Sequence, residues 1–218
     1  MDPENDRLER YSILAGLLAT VLWVAGVAMS RGEHVGLPGG LPEEGAQDVL
    51  TYFRENEGTV LAGSWLFMLG SLLHLWFVCA LRSRLADAEG GAGTLATTAL
   101  AGGIATASFT LGMPIGGLVA TLGATQIEAA TAQALNGVEA VFFMGAELSA
   151  IVLLIATAAV WFRTRMVATW WAWATILLAV WLLILPIGWI GLLIGLPVWT
   201  SVTSVLLLRQ RTSQIQPK

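Results

Sequence analysis

Three ionisable side chains lie within or beside long apolar runs of this sequence. They are His74 in "GSLLHLWFVC" (70–79), and Glu139 and Glu147 in "GVEAVFFMGAELSAIV" (137–152). An ionisable group in hydrocarbon is costly unless it is paired or hydrated, so intramembrane residues of this kind are candidates for contact with a substrate, an ion or a proton. An imidazole or a carboxyl can bind a substrate or an ion and can exchange a proton. We therefore take His74, Glu139 and Glu147 as the candidate binding residues.

The depths of these residues separate them. At about 1.5 Å per helical residue, His74 lies about 12 Å from Arg82, and Glu147 lies about 24 Å from Arg163. A direct ion pair between His74 and Glu147 is therefore not expected. We expect Glu139 near the outer mouth of the bundle, with water as its partner.

Each of the two deeper groups then needs partners at its own level. For His74 the helical rise predicts a polar layer made of Thr20, Gly102, Gly103, Thr175 and Ser201. For Glu147 it predicts Thr110, Ser108 and the indole of Trp65. His74 is then either a neutral, hydrogen-bonded core histidine or a contact for substrate or protons, and Glu147 is equally open to a structural or a functional role.

Several chemistries find no support in the residue types present. Haem held between helices needs two facing histidines, but the second histidine, His34, lies in a loop rich in Gly and Pro. The single lysine is Lys218, which excludes a membrane Schiff base, and Cys79 lies five residues from His74, a poor spacing for a nucleophile and its base. With one cysteine there is no zinc motif. We predict no catalytic residues, no metal, no cofactor and no enzymatic activity.

Composition predicts that lipid is the solvent of this chain. Of its 218 residues 56% are hydrophobic and 12% are charged, with a mean hydropathy of +0.73, whereas soluble domains carry about 25% charged residues. A hydrocarbon core of about 30 Å needs roughly 20 apolar residues per helix. We predict an all-α protein with one transmembrane domain over 1–218, a bundle of six spans at residues 11–29, 60–81, 94–122, 138–162, 167–185 and 188–208. Pro186 and Gly188 divide the last two spans into a hairpin.

The distribution of basic residues predicts the orientation. If both termini are cytoplasmic, two basic residues lie outside, Arg31 and Arg54, and nine lie inside. The nine are Arg7, Arg10, Arg82, Arg84, Arg163, Arg165, Arg209, Arg211 and Lys218. This bias predicts a multi-pass protein of a bacterial cytoplasmic membrane. A cleaved signal peptide over 11–29 is disfavoured, because the leading "MDPENDRLER" is acidic.

The connections are short apart from the outer loop 30–59. Within it, Val49, Tyr52 and Phe53 are spaced as one face of an amphipathic helix over 48–56, with Asp48 placed as its N-cap. The connection 125–137 predicts another short outer helix, which ends at Asn136-Gly137.

The third span is built for close helix packing. "GGIATASFTLGMPIGGLVATLG" is rich in small residues, and Gly112 and Gly116 form a GxxxG pair, as do Gly191 and Gly195 in the sixth span. We expect the third span at the centre of the bundle, with a kink at Pro114.

Two stretches carry a family resemblance. "YFRENEGTVLAGSWLF…LRSRLADAEGGAGTLATTALAGG" (52–103) and "FFMGAELSAIVLLIATAAVWFRTR" (142–165), with the Trp-rich hairpin that follows, resemble a group of small, uncharacterised bacterial six-span membrane proteins. The motifs are compositional. The resemblance implies a protein of the cytoplasmic membrane and brings no substrate, cofactor or active residue with it.

These observations leave three functional classes open. We expect a non-enzymatic accessory or regulatory component that contacts the lipid bilayer and either a membrane-protein partner or further copies of itself. A small-solute or proton-linked transporter or channel subunit is the alternative, favoured by the kinked third span and the membrane carboxyl. An enzyme acting on lipid or isoprenoid substrates would need clustered acids that the sequence lacks. No basic stripe with interleaved aromatics supports nucleic-acid binding.

Overall fold

The structure is a computed structural model that describes residues 3–30, 45–184 and 187–215. Over these ranges the chain is helical and contains no strand. The helices are α1 (Pro3–Ser30), α2 (Ala46–Glu55), α3 (Glu57–Glu89), α4 (Thr94–Gly112), α5 (Ile115–Leu122), α6 (Ala129–Thr164), α7 (Thr169–Leu182), α8 (Gly188–Ile190) and α9 (Leu196–Ile215), with a π-helical segment Gly191–Gly195 between the last two. His34 and Leu185-Pro186 lie outside the described residues.

Among the described residues, five helical stretches are long and apolar enough to cross a membrane: Tyr11–Ser30, Glu57–Glu89, Thr94–Leu122, Ala129–Thr164 and Gly188–Arg209. They correspond to the first four predicted spans and to the sixth. The predicted fifth span, 167–185, is present as the apolar helix α7, but its 14 residues make it shorter than the others. At about 1.5 Å per residue, α7 is about 21 Å long.

Small residues bring the long helices into close contact, as the sequence predicts. A Cβ atom added to Gly26 on α1 would lie 2.7 Å from the carbonyl oxygen of Gly63 on α3. One added to Gly102 on α4 would lie 2.5 Å from the backbone nitrogen of Leu153 on α6. Backbones that approach this closely leave no room for a side chain, which is the packing expected in a bilayer.

The centre of the bundle is α6 and not the predicted third span. In the most apolar 18-residue stretch of α6, 56% is buried inside the protein. The corresponding share for Thr94–Leu122 is 44%. The third span is interrupted at Met113-Pro114, between α4 and α5, because proline cannot donate the backbone hydrogen bond that the helix needs. The kink expected at Pro114 is therefore confirmed, while the central position is wrong.

Two details of the outer connections also differ from expectation. α6 begins at Ala129 and continues through Gly137, so the predicted short helix ending at Asn136-Gly137 does not exist. A single glycine costs a helix only about 1 kcal/mol, and the Ala-rich residues before it favour helix. α2 does form where predicted, but Gly45 precedes it as N-cap and Asp48 lies in its first turn, where an acid is favourable.

The buried side chains form two apolar groups. The main core joins α1, α3, α4, α6, α7 and α9. A smaller group, here called the α2 cluster, packs the apolar face of α2 against α5 and the beginning of α6. Its buried members are Val49, Leu50, Tyr52, Phe53, Val60, Ala120, Ala124 and Ala132.

At the opposite end of α3 a carboxylate holds the next helix in place. The backbone N–H groups of Leu95 and Ala96 donate to Glu89, at 3.0 and 2.9 Å. The intervening Gly90, Gly91 and Gly93 all have positive φ, which other residues adopt only with strain. The turn therefore depends on its glycines and on a side chain that satisfies the free donors at the start of α4.

Candidate functional site

His74 is completely buried among aromatic rings. Its ring centroid lies 4.8 Å from that of Trp23 and 5.8 Å from that of Phe77, and its side chain is 0% exposed. Among the described residues neither imidazole nitrogen has a hydrogen-bonding partner. The string of rings continues through Phe77 to Trp199 and Trp161, with 6.2 Å between successive centroids.

The hydroxyls predicted to serve His74 bond elsewhere. Thr20 donates to the carbonyl oxygens of Gly16 and Pro197, both at 3.1 Å, and Ser201 donates to Thr20 at 2.9 Å. The hydroxyl of Thr175 accepts the indole N–H of Trp199 at 2.9 Å. These hydroxyls therefore join helices to each other, and none of them bonds to His74. The prediction of a hydrogen-bonded core histidine is therefore wrong for the described residues: His74 packs between the rings of Trp23 and Phe77.

Glu147 faces the turn between α7 and α8. Its side chain is 5% exposed, and Oε1 has no partner within the described part of the chain. A Cβ atom added to Gly188 would lie 2.5 Å from Oε1, so the carboxyl fills the space that this glycine leaves open. The expected partners do not reach it, because Thr110 donates to Thr106 at 2.9 Å and Trp65 is 61% exposed.

Glu139 lines a pocket at the end of the bundle that carries α2. This cavity, here called the α2 pocket, has a volume of about 50 Å³. It lies where the interruption at Pro114 opens a gap between α5, α3 and α6. Its lining residues are Val27, Ser30, Phe53, Val60, Ser64, Phe67, Met113, Pro114, Gly117, Asn136 and Glu139.

Two polar residues of the α2 pocket are buried and make no side-chain hydrogen bond to another described residue. Ser64 is 2% exposed and Asn136 is 8% exposed. Neither side chain makes a hydrogen bond to another described residue, whereas the Ser30 hydroxyl donates to the Gly26 carbonyl at 2.8 Å. Buried polar groups are nearly always paired with protein or water. Because Ser64 and Asn136 both line a cavity, this pocket is where a bound molecule would satisfy them.

α2 closes one side of the pocket, and side-chain hydrogen bonds hold it to two neighbouring parts of the chain. Phe53 contributes its ring to the wall. The Tyr52 hydroxyl donates to the Ser30 carbonyl at 2.9 Å, and Arg54 Nε donates to the Ala124 carbonyl at 2.7 Å. These bonds tie α2 to the end of α1 and to the residues after α5.

A narrow apolar cleft of about 10 Å³ adjoins the pocket. Val27, Phe67 and Met113 belong to both walls. The cleft adds Trp23, Thr110, Leu192, Leu193, Leu196 and Pro197. Trp23 is the ring that stacks on His74, and the π-helical segment supplies Leu192 and Leu193. Interruptions of this type recur at functional sites in helical proteins.

The three candidate residues thus lie in three separate environments. Glu139 is in a cavity, Glu147 is against a glycine, and His74 is among rings. Sequence reasoning missed Ser64, Asn136 and Phe53. Asn136 and Glu139 are three residues apart, which places them on one face if both lie on the same helix, and this spacing could have indicated the site. It was missed because Asn136-Gly137 is also typical of a helix end. Within the described residues no three His, Cys, Asp or Glu side chains are grouped to hold a metal.

Comparison with known proteins adds no relative: no family model, curated protein or solved structure matches this chain.

Proposed function

We propose that this chain is a six-span protein of a bacterial cytoplasmic membrane, with both termini in the cytoplasm. The alternation of basic residues supports the orientation, and five long apolar helices support most of the spans. The short α7 does not alter the orientation. α7 and Gly188–Arg209 form a helical hairpin. The beginning and the end of a hairpin lie on the same side of the membrane, whether or not α7 crosses it completely.

Single cysteines test this topology in a Cys79→Ala background, since Cys79 is the single native cysteine. Ser83 lies between Arg82 and Arg84, and Thr125 lies in the connection between α5 and α6; both are exposed. A membrane-impermeant thiol reagent added to intact spheroplasts should modify Thr125→Cys and should reach Ser83→Cys only after lysis. The opposite pattern would overturn the orientation.

Within this topology we propose a non-enzymatic accessory or regulatory role. The observation that carries it is the construction of the α2 pocket, whose wall takes residues from α1, α2, α3, α6 and the junction of α4 with α5. A molecule bound there contacts all of these elements and can shift the equilibrium between their arrangements. The proposed orientation places this pocket on the outer face, so the protein would report an extracellular effector to a partner in the membrane.

A regulatory role requires a partner, which is either another membrane protein or a second copy of this chain. Cross-linking in intact cells, followed by purification in mild detergent, should give one defined species of larger mass at fixed stoichiometry. An unrelated six-span protein expressed at the same level is the control. A chain that remains monomeric after cross-linking would overturn the regulatory role.

Transport is the second candidate function, and one observation favours it specifically. The α2 pocket and the apolar cleft share Val27, Phe67 and Met113, so movement of these side chains would extend the pocket toward the level of Trp23 and His74. Proteoliposomes test this alternative. Solute or proton flux that is lost in Glu139→Gln, in the pocket wall, and kept in the exposed control Glu128→Gln would establish transport through the pocket. The absence of flux in the wild-type chain would exclude transport for the solutes tested.

A further inference from the structure

We propose that the α2 pocket binds a small primary alkylammonium ion. Its three N–H groups donate hydrogen bonds to Glu139, Asn136 and Ser64. The role of this ion as an effector rests on the proposed function, whereas the binding itself rests on the pocket alone.

The polar part of the pocket matches an ammonium group. Asn136 and Glu139 lie three residues apart on α6, so they share one face of the helix, and Ser64 approaches from α3. A primary ammonium has three donors and no acceptor. No donor among the described residues bonds to the amide oxygen of Asn136 or to the hydroxyl oxygen of Ser64, and both residues line the cavity. Glu139 already interacts with another group, but a carboxylate has about four acceptor positions, so it can also receive a ligand N–H.

The apolar part of the pocket selects an organic cation over a bare metal ion. Phe53, Phe67 and Met113 form much of the remaining wall. Hard divalent cations take about six to eight oxygen ligands, which this wall does not offer. An alkyl chain packs well against these side chains, and the faces of aromatic rings attract cations. The Glu139 carboxylate also disfavours an anionic ligand.

The volume limits the length of the alkyl chain. The cavity of about 50 Å³ has room for a small organic ion as well as for water. Ethylammonium and propylammonium are ions of this size. Ligands this small bind with dissociation constants in the millimolar range at best.

The side-chain amide of Asn136 gives a direct readout. The chain has three asparagines, Asn5, Asn56 and Asn136, so selective ¹⁵N labelling gives three pairs of side-chain amide signals and two internal controls. Ethylammonium chloride should shift the Asn136 signal saturably in the millimolar range. Sodium chloride at equal ionic strength and ethanol, the neutral analogue, should each bind at least about tenfold more weakly, since a hydrogen bond to a charged group contributes about that much.

Two variants and one matched control complete the experiment. Glu139→Gln should weaken binding at least about tenfold, and Glu128→Gln, an exposed acid at the start of the same helix, should not change it. Gly117→Ala adds one methyl group to the pocket wall. Its Cβ would lie 3.6 and 3.8 Å from the Phe53 ring, in ordinary contact, so the protein should fold and bind ethylammonium more weakly.

An Asn136 signal that does not move, or binding that is the same in Glu139→Gln and Gly117→Ala as in the wild type, would overturn the proposal. The proposed function fails separately. If ethylammonium binds but no partner is cross-linked, the effector role falls and the site remains. If a partner is found and ethylammonium does not bind, the site falls and the regulatory role remains.

Discussion

The α2 pocket and the surroundings of His74 both bury polar side chains that make no hydrogen bond to another described residue, yet they differ in the space around them. Ser64 and Asn136 border a cavity of about 50 Å³. His74 is enclosed by Trp23 and Phe77, with ring centroids 4.8 and 5.8 Å away. An ionisable residue in a membrane helix is therefore a weak guide to function by itself. Room for a ligand beside unpaired donors and acceptors is the more specific sign.

The two regions also differ in how firmly they are connected. Near His74 two indole N–H groups bond to hydroxyls on other helices, with Trp23 donating to Ser71 at 3.0 Å and Trp199 donating to Thr175 at 2.9 Å. The N–H of Trp161, farther along the same string of rings, has no partner among the described residues. The α2 cluster is smaller and rests on one short amphipathic helix. The interior is thus closed and packed by several long helices, whereas the α2 end contains a cavity and depends on one short helix, as suits a protein that binds its ligand at that end.

The largest loss of stability should come from adding a side-chain atom where two helices are in close contact at the α2 end. A Cβ at Gly116 would overlap the backbone carbonyl oxygen of Leu135, which cannot move without shifting α6. Overpacking of this kind costs about 1–3 kcal/mol, and a backbone clash belongs at the upper end. Gly116→Ala should thus destabilise the protein by about 3 kcal/mol in detergent unfolding. The adjacent Gly117→Ala should be neutral or slightly stabilising, because alanine favours helix. Equal losses in both variants would contradict this packing.

A smaller loss is expected from breaking a bond near His74. Thr175→Val keeps the shape of the side chain but leaves the buried N–H of Trp199 without its acceptor. An unsatisfied buried donor costs about 1–3 kcal/mol. Thermal unfolding in the same detergent measures the change, and the exposed Thr169→Val on the same helix is the control. Stability equal to that of the control would show that this bond does not hold the interior together.

His74 itself should be replaceable. Because its two nitrogens have no partner among the described residues, His74→Phe removes buried polar atoms and keeps an aromatic ring between Trp23 and Phe77. Such a change is nearly neutral or stabilising by up to about 1 kcal/mol. Ethylammonium binding at the α2 pocket should be unaffected. A large loss of stability, or loss of binding, would show that His74 has a partner or a role beyond packing.

The smallest effect is expected at the turn between α3 and α4, outside both regions. Glu89→Gln keeps one acceptor oxygen and removes the charge that holds the N–H groups of Leu95 and Ala96. Hydrogen exchange at these two amides should become faster, while global stability changes little. Asp87→Asn, two residues away and exposed, is the matched control. Unchanged exchange at Leu95 and Ala96 would mean that the backbone alone fixes this turn.

Local patterns predicted much of the fold. Apolar runs located the long helices, the spacing of Val49, Tyr52 and Phe53 identified the buried face of α2, and Pro114 marked the break between α4 and α5. Each of these features depends on residues near one another in the chain. The continuation of α6 through Gly137 was missed, because packing of α6 against α2 and α5 outweighs the weak helix-ending tendency of one glycine.

The candidate site was harder to predict than the fold. Glu139 was identified as an ionisable residue near the end of an apolar run, but its companions come from distant positions. Ser64 lies on α3 and Phe53 on α2, and neither residue type is unusual where it stands. The hydroxyls expected to serve His74 bond instead to an indole, to backbone carbonyls and to each other. Partner choice depends on side-chain direction, which composition and helical rise do not determine.

The difference in access between the α2 pocket and His74 can be measured directly. In the Cys79→Ala background, Gly117→Cys and His74→Cys place a thiol in each region, and a small methanethiosulfonate reagent carrying an ethylammonium group reports access to both. We predict that Gly117→Cys is modified from the outer side and is protected by added ethylammonium, while His74→Cys is not modified in the folded protein. Faster reaction at position 74 than at position 117, or no protection by ethylammonium, would contradict the account.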